Sequence, residues 1–174
     1  MVYALTTRIT LSTYESFFRI VRQILPLNYN QLTIITDYER GLMNAVRIVF
    51  PQTKLQGCWF HFCQSVIRYC KRSMNSLFQL FQTSVEAATV LRMVLALPHL
   101  PAESQINCNF TMLDGFQIIV DYVNQQPVIR ERLQAFLFGY IQDFWFRQIT
   151  AENISVFGLE FLKNDINRLL LYKL

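Results

Sequence analysis

The sequence predicts an α/β fold at its N-terminal end and a block of helices after it. Strand-like and helix-like segments alternate as far as Cys63, and this alternation is typical of a mostly parallel sheet covered by helices. Beyond Cys63 the apolar residues recur at helical spacing, with breaks at Pro98, Pro101 and Pro127. We therefore expect one compact unit in which a small sheet is followed by about four helices.

The composition is apolar for a folded domain. Hydrophobic residues make up 52% of the 174 residues and charged residues 16%, against about 45–50% and about 25% in typical proteins. Either the chain touches a membrane or it lacks surroundings that would cover apolar surface. Arg92 and Pro98 interrupt the longest apolar stretch, so no run reaches the ~18–20 residues of a membrane span. The N-terminus also lacks the features of a signal peptide. We expect an intracellular protein outside the membrane.

The charge and the cysteine content are both compatible with an intracellular protein. A net charge of +4 and a pI near 9.0 are compatible with a nucleic-acid partner. Four cysteines are too few for a disulfide framework in a chain of this size, so we expect reduced thiols.

The first elements are a strand, "VYALTTRI", and a helix, "LSTYESFFRIVRQILP". Ser12 and Glu15 have the spacing of a capping box, and Pro26 marks the end of the helix. The residues at helical spacing that should face inward are Tyr14, Phe17, Phe18, Val21 and Ile24.

Next come a strand, a helix and a second strand. "QLTIITD" is short and nearly continuously apolar, which predicts a strand buried on both faces of a parallel sheet. "YERGLMNAVRIVFP" predicts a helix that ends at Pro51, and "KLQGCWFHF" predicts another strand. The inward side chains of this helix should be Leu42, Ala45, Val46 and Val49.

Four segments of the second half carry helical periodicity. They are "CQSVIRYCKRSMNSLFQLFQT", "SVEAATVLRMVLALP", "TMLDGFQIIVDYVNQQ" and "VIRERLQAFLFGYIQDFWFR". The aromatic run Phe144, Trp145 and Phe146 is more typical of a core than of a surface that stacks bases.

Asp37 stands at the tip of the strand "TIIT". In open α/β sheets ligands bind outside the carboxyl ends of the strands, so a carboxylate there is a candidate site residue. Aspartate is also a favoured N-cap. Asp37 is therefore either a ligand or the cap of the helix that begins near Tyr38.

Cys58 and His61 form a C-x-x-H pair about twenty residues later. A structural zinc site usually takes four ligands from two such pairs, and no second pair lies at a matching distance. Cys63 and Cys70 have helical spacing, which favours buried thiols. A zinc site of its own is thus the least favoured interpretation of Cys58 and His61.

Three segments in order resemble the Mutator-like element (MULE) transposase domain. They are "YALTTRITLSTYESFF", "IITDYERGLMNAVRIVFP" and "LQGCWFHFCQSVIR", and the resemblance runs from about Val2 to Arg72. It implies an RNase H-like fold with an Asp–Asp–Glu triad that holds two divalent metal ions for cleavage and transfer of DNA strands. It also implies that Asp37 is the second carboxylate and a metal ligand, with Cys58 and His61 in a supporting role.

The resemblance sets the expected domain organisation. Residues 1–72 would be the transposase core, with a partial sheet whose first strand is missing. Residues 73–150 would be a helical insertion, and residues 151–174 the start of the C-terminal part of the core.

Two carboxylates of the triad lack a counterpart. No aspartate precedes Asp37, and Asn167 stands where the resemblance places the third carboxylate. Asp165 and Glu160 lie nearby, but a helix turns about 100° per residue, so a slip of two residues points the carboxylate elsewhere. We therefore expect a truncated, inactive transposase remnant that binds no Mg²⁺ or Mn²⁺, unlike active relatives. The alternative is a domesticated DNA-binding or protein-interaction module.

Arg68, Lys71 and Arg72 cluster on the predicted helix that follows the C-x-x-H pair. The resemblance implies DNA as a partner and the nucleus as the location, and these cations are candidates for phosphate contacts. A solvated helix face is the alternative explanation. Arg130 and Arg132 form a smaller group before a later helix.

Overall fold

A computed structural model describes residues 10–159 of the chain. It is a mixed α/β structure, mostly helical, with a small parallel sheet. The chain divides into two compact units, residues 1–62 and residues 63–174, so the prediction of one compact unit is wrong. The predicted strand "VYALTTRI" lies outside the described residues, and the predicted domain boundaries after residues 72 and 150 stay predictions.

Helix α1 spans Leu11–Ile24, as the sequence predicts, but a different residue caps it. The Thr10 hydroxyl accepts a hydrogen bond from the Thr13 amide at 3.3 Å. The predicted capping box of Ser12 and Glu15 is wrong, because Ser12 already lies inside the helix. Glu15 instead forms an ion pair with Arg19 at 3.7 Å.

The sheet consists of β1 (Thr33–Thr36) and β2 (Lys54–Gly57), which run parallel. Thr36 lies beside Gly57 in the register. The prediction that β1 is buried on both faces is wrong: Thr36 is buried, but the Ile35 side chain is 47% exposed. Within the described residues this sheet has two strands, and the RNase H-like arrangement remains a prediction.

Helix α2 (Arg40–Val49) packs against α1 and the sheet. Three of its four predicted inward residues are buried, while Leu42 is half-buried and Met43 is buried in addition. The core of this unit consists of Val46, Val49 and Phe50, with Phe18, Tyr29, Ile34 and Leu55 packed against it. The Arg22 guanidinium also donates to the Val49 carbonyl at 2.7 Å, which joins α1 to the end of α2.

Helix α3 spans Trp59–Ser73, so it begins in the first unit and continues into the second. The other helices are α4 (Asn75–Thr83), α5 (Val85–Ala96), α6 (Met112–Asn124), α7 (Pro127–Gln134), a π-helix (Ala135–Thr150) and α8 (Ala151–Ile154). Two of the four predicted helical segments are thus divided. The first breaks at Met74, which leaves helical geometry at φ −140°, and the fourth changes from α to π winding after Gln134.

A column of buried side chains runs along α7 and the π-helix at four-residue steps. Its members are Ile129, Leu133, Leu137, Ile141, Trp145 and Ile149. This column forms a large part of the apolar core of the second unit.

Tyr140 of the π-helix joins it to α3. Its ring stacks on Tyr69 with centroids 3.7 Å apart and on Phe144 at 5.7 Å. Its hydroxyl donates to the Ser65 carbonyl at 3.2 Å, and burial raises its pKa to about 12. Trp145 is buried, which confirms the prediction that this aromatic run belongs to a core.

Membrane crossing finds little support in the fold. In residues 10–159 no single helix has the length and apolar composition of a span, although the bent pair Asn75–Thr83 and Val85–His99 passes that test by length and composition alone.

Candidate functional site

The carboxyl ends of β1 and β2 lie side by side. The Cys58 amide donates to the Thr36 carbonyl at 2.8 Å, which extends the parallel pairing one residue beyond β2. Asp37 and Cys58 each follow a strand end, so both leave the sheet at the same edge. This is the edge at which open α/β sheets bind ligands.

Asp37 is half-buried, and its side chain is used in a turn. The Glu39 amide donates to its Oδ1 at 3.2 Å, a local bond that aspartate commonly makes two residues ahead in turns. Helix α2 begins at Arg40 with Glu39 at the N-cap position. The alternative in which Asp37 caps α2 is therefore wrong, although its carboxylate does order the turn that precedes this helix.

Glu39 is held by a tyrosine from α1. The Tyr14 hydroxyl donates to Glu39 Oε2 at 2.5 Å. This hydrogen bond, together with burial and the negative charges of Glu39 and Asp37, raises the pKa of Tyr14 to about 12. The negative charges of both carboxylates therefore act on the Tyr14 hydroxyl.

Sequence reasoning missed this role of Tyr14 and Glu39. The sequence predicts that Tyr14 faces inward on α1 and gives no role to Glu39. The signal that could have identified Glu39 is its position two residues after Asp37 in the segment "IITDYERGLMNAVRIVFP".

Gly57 ends β2 under the ring of Tyr38. A Cβ atom at position 57 would overlap the Tyr38 ring. The absence of a side chain at Gly57 thus lets the loop after Asp37 lie directly on the end of β2. This explains the glycine of the "GCWFHF" segment, whose structural role the sequence did not reveal.

Cys58 and His61 flank the start of α3. The Cys58 carbonyl accepts from the Phe62 amide at 3.0 Å, which closes the first helical turn. Cys58 is a half-buried free thiol, while His61 is exposed with its ring centroid 5.7 Å from that of Phe60. The structure therefore places this pair at the same edge of the sheet as Asp37.

The resemblance implies a site that holds two metal ions. Such a site needs several carboxylates converging on one position, because Mg²⁺ takes oxygen ligands in octahedral geometry. Among residues 10–159 no group of three or more His, Cys, Asp or Glu side chains comes together in that way. Asp37 bonds its own turn and Glu39 bonds Tyr14, so the described residues do not fit the metal pair. Asn167, Asp165 and Glu160 lie outside the described part of the chain.

The predicted cation cluster lies on one face of α3. Arg68, Lys71 and Arg72 are exposed and separated by three and four residues, the spacing of neighbours on a helix surface. The Lys71 Nζ lies 4.7 Å from the centre of the Phe78 ring on α4. Positive charge in the last turn also suits the helix dipole, so the face has a structural explanation as well as a functional one.

Comparison with known proteins gives one result. Neither the curated proteins nor the solved structures contain a match to this chain. Residues 1–65 match the family model described as the MULE transposase domain. The match includes Asp37, Cys58 and His61 and ends before the cation cluster. The segment that forms this edge of the sheet is therefore similar to the MULE transposase domain, and this similarity points to a transposase-family function.

Proposed function

We propose that this protein derives from a MULE-type transposase and has kept DNA binding without DNA cleavage. The observation that carries the proposal is the family match over residues 1–65, which contains one candidate catalytic carboxylate, Asp37, at the ligand-binding edge of the sheet. DNA is the expected partner and the nucleus the expected location, since both follow from the family.

The donor chemistry supports the loss of cleavage. The family reaction needs two metal ions held by three carboxylates. Asn167, at the position of the third carboxylate, offers a neutral amide where Mg²⁺ prefers charged oxygen. A single carboxylate that already accepts an amide hydrogen bond competes poorly with water for a place in the coordination shell of Mg²⁺.

The first test is a nicking assay. Purified protein is incubated with supercoiled plasmid in Mg²⁺ or Mn²⁺, beside the Asp37→Asn variant. We expect both proteins to leave the plasmid intact. Nicking by the wild type that Asp37→Asn abolishes would contradict the proposal and restore an active enzyme.

The charge distribution supports DNA binding. Helix α3 contains no Asp or Glu, and its three exposed cations share one face. Lys and Arg bind phosphates independently of base sequence and release condensed counterions, so such binding weakens steeply with salt. This feature favours DNA binding over a domesticated module that binds only proteins.

The second test is a salt titration of duplex binding. Replacing Arg68, Lys71 and Arg72 by glutamine should weaken binding and make the slope of log K against log salt shallower by about 2–3. The matched control replaces Arg130 and Arg132, two exposed cations of α7 two positions apart and so on different faces of the helix. Equal effects of both variants, or no DNA binding by the wild type, would contradict the proposal.

A further inference from the structure

We propose that α4 reads base sequence in the major groove of duplex DNA. In this arrangement Asn75, Gln79 and Gln82 contact the edges of the bases, while the cations of α3 bind the neighbouring phosphates. The inference rests on the proposed function and adds sequence specificity to it. Neither the family match, which covers residues 1–65, nor the donor chemistry assigns a role to α4.

Helix α4 has an exposed face that is polar but carries no charge. Its exposed side chains are those of Asn75, Ser76, Gln79, Gln82 and Thr83. At about 100° per residue these positions cover an arc of about 120°, opposite the buried Leu77 and Phe81. Of the α-helices in residues 10–159, α4 is the one that contains no Asp, Glu, Lys or Arg. Charged residues are usual on a solvated helix face, so this composition favours a face that contacts a partner.

The amides of Asn75, Gln79 and Gln82 match the edges of bases. Each amide has a carbonyl oxygen and an NH₂ group, and together these can bind the N6 and N7 atoms of adenine in the major groove. No hydrogen bond joins these three amides to another group in residues 10–159. They lie within an arc of about 60° and span about 10 Å of the helix axis. This length corresponds to about three base pairs, at about 3.4 Å each.

The cations of α3 lie next to this face of α4. Arg72 precedes Asn75 by three residues, and Lys71 Nζ lies 4.7 Å from the centre of the Phe78 ring. Phe78 borders the polar face, about 40° round the helix from Gln82. Positive charge therefore flanks the amides on this side. Helices α3 and α4 contain no Asp or Glu that would repel a phosphate.

Charge complementarity and the neutral amides together identify duplex DNA as the partner. The major groove of B-DNA admits an α-helix and presents a distinct pattern of donors and acceptors for each base pair. Phosphate contacts from the cations fix the register of such a helix but carry no sequence information. The amides should therefore contribute to discrimination between sequences more than to total affinity. We expect sites with adenine at one or more of about three adjacent base pairs.

The test separates specificity from affinity. Duplexes that bind the wild type are enriched from a pool with random central base pairs, and the enriched duplex is compared with a scrambled duplex of equal composition. We expect Gln79→Ala and Gln82→Ala each to lower the ratio of the two affinities by about 5–150-fold. Both variants should bind the scrambled duplex as the wild type does and keep its salt dependence, because no phosphate contact is lost.

Asn124→Ala is the matched control. Asn124 is an exposed amide at the end of α6, and this variant should keep the wild-type ratio of affinities. Alanine favours helices at least as well as glutamine, so the two substitutions in α4 should leave the fold intact. Thermal unfolding checks that all three variants are folded.

Three results would overturn the inference while leaving the proposed function standing. One is that no motif is enriched, although the wild type binds DNA in a salt-dependent way. The second is a ratio of affinities within twofold of the wild type in either α4 variant. The third is an equal loss of affinity for the enriched and the scrambled duplex, since that is a general loss of binding. Absence of any salt-dependent DNA binding by the wild type would instead remove the proposed function itself, and the inference with it.

Discussion

The two units of the chain differ in how deeply their side chains are buried. In the first unit α1 has no fully buried residue, and the core consists of Val46, Val49 and Phe50 with partly buried neighbours. In the second unit a column of six side chains along α7 and the π-helix is almost completely buried. The family match lies in the lightly buried unit. The region with the candidate chemistry thus has a small apolar core with partly buried neighbours, and the helical region has a longer column of buried side chains.

Two tyrosines, one in each unit, illustrate this difference in burial. The pKa of Tyr14 and that of Tyr140 are both raised to about 12. In Tyr14 the main cause is the hydrogen bond to Glu39, a charged partner, whereas in Tyr140 it is burial among aromatic rings. Similar values therefore have an electrostatic origin in the first unit and a packing origin in the second.

The largest expected effect is in the core of the second unit. Ile141→Ala removes a side chain with 0% exposure and should lower the free energy of unfolding by about 2–5 kcal/mol, through lost burial and the cavity left behind. Chemical denaturation followed by Trp145 fluorescence in a Trp59→Phe background measures it. Val128→Ala, at an 88% exposed position, is the control. A loss below about 1 kcal/mol for Ile141→Ala would break the contrast between the units.

A smaller effect on the free energy of unfolding is expected at Gly57, which lies against the ring of Tyr38. In Gly57→Ala the new methyl group overlaps the Tyr38 ring, and overpacking of this kind costs about 1–3 kcal/mol. Trp59 fluorescence in a Trp145→Phe background follows the transition. Gly139→Ala, where no atom lies within 4 Å of the added carbon, should be neutral or slightly stabilising. If both variants behave alike, Tyr38 does not need the space above Gly57.

The cap of α1 should contribute about 1 kcal/mol. Thr10→Ala removes the acceptor of the Thr13 amide, and loss of an N-cap costs about 0.5–2 kcal/mol. Ser12→Ala should cost only a few tenths, because Ser12 lies inside the helix and is exposed. Thermal unfolding of the two variants decides between them. A larger loss in Ser12→Ala would favour the capping box that the sequence predicts.

The smallest effect is a pH dependence in the first unit. The pKa of Tyr14 is raised above its usual value of 10.0 to about 12, so its contribution is complete below pH 10 and is lost as the pH rises through 12. Since Tyr14 lies near the surface, solvent screening limits this contribution to below about 1 kcal/mol. Glu39→Gln should lower the pKa of Tyr14 and leave that of Tyr140 unchanged, as followed by tyrosine NMR. Equal shifts in both residues would contradict a local cause.

Local patterns predicted many of the elements. Helices α1 and α2 follow from apolar spacing and from Pro26 and Pro51, and β1 follows from a short apolar run. The predicted strand "KLQGCWFHF" is right for Lys54–Gly57 and wrong beyond it, because α3 begins at Trp59. The capping error arose because Thr10 and Ser12 are both good caps, so local preference alone cannot choose between them. The apolar spacing of residues 128–147 predicts a helix but does not distinguish α from π winding, so the change after Gln134 was not predicted.

The sequence also predicted only part of the candidate site. Asp37, Cys58, His61 and the cations of α3 were identified from motif and spacing, and the structure puts the first three at one edge of the sheet and the cations on one helix face. The hydrogen bond from Tyr14 to Glu39 and the contact of Tyr38 with Gly57 join residues 25 and 19 positions apart. No local pattern contains either contact.

The sequence by itself determined most of the order of strands and helices, the similarity of residues 1–65 to the MULE transposase domain and the residue types available for chemistry. Each of these follows from local spacing or from a motif read in order. Only the tertiary structure decided that Asp37 bonds its own turn, that Glu39 is held by Tyr14 and that Phe60 faces solvent while Trp59 and Phe62 do not. These outcomes depend on which distant segments meet, and the packing of the whole unit sets that.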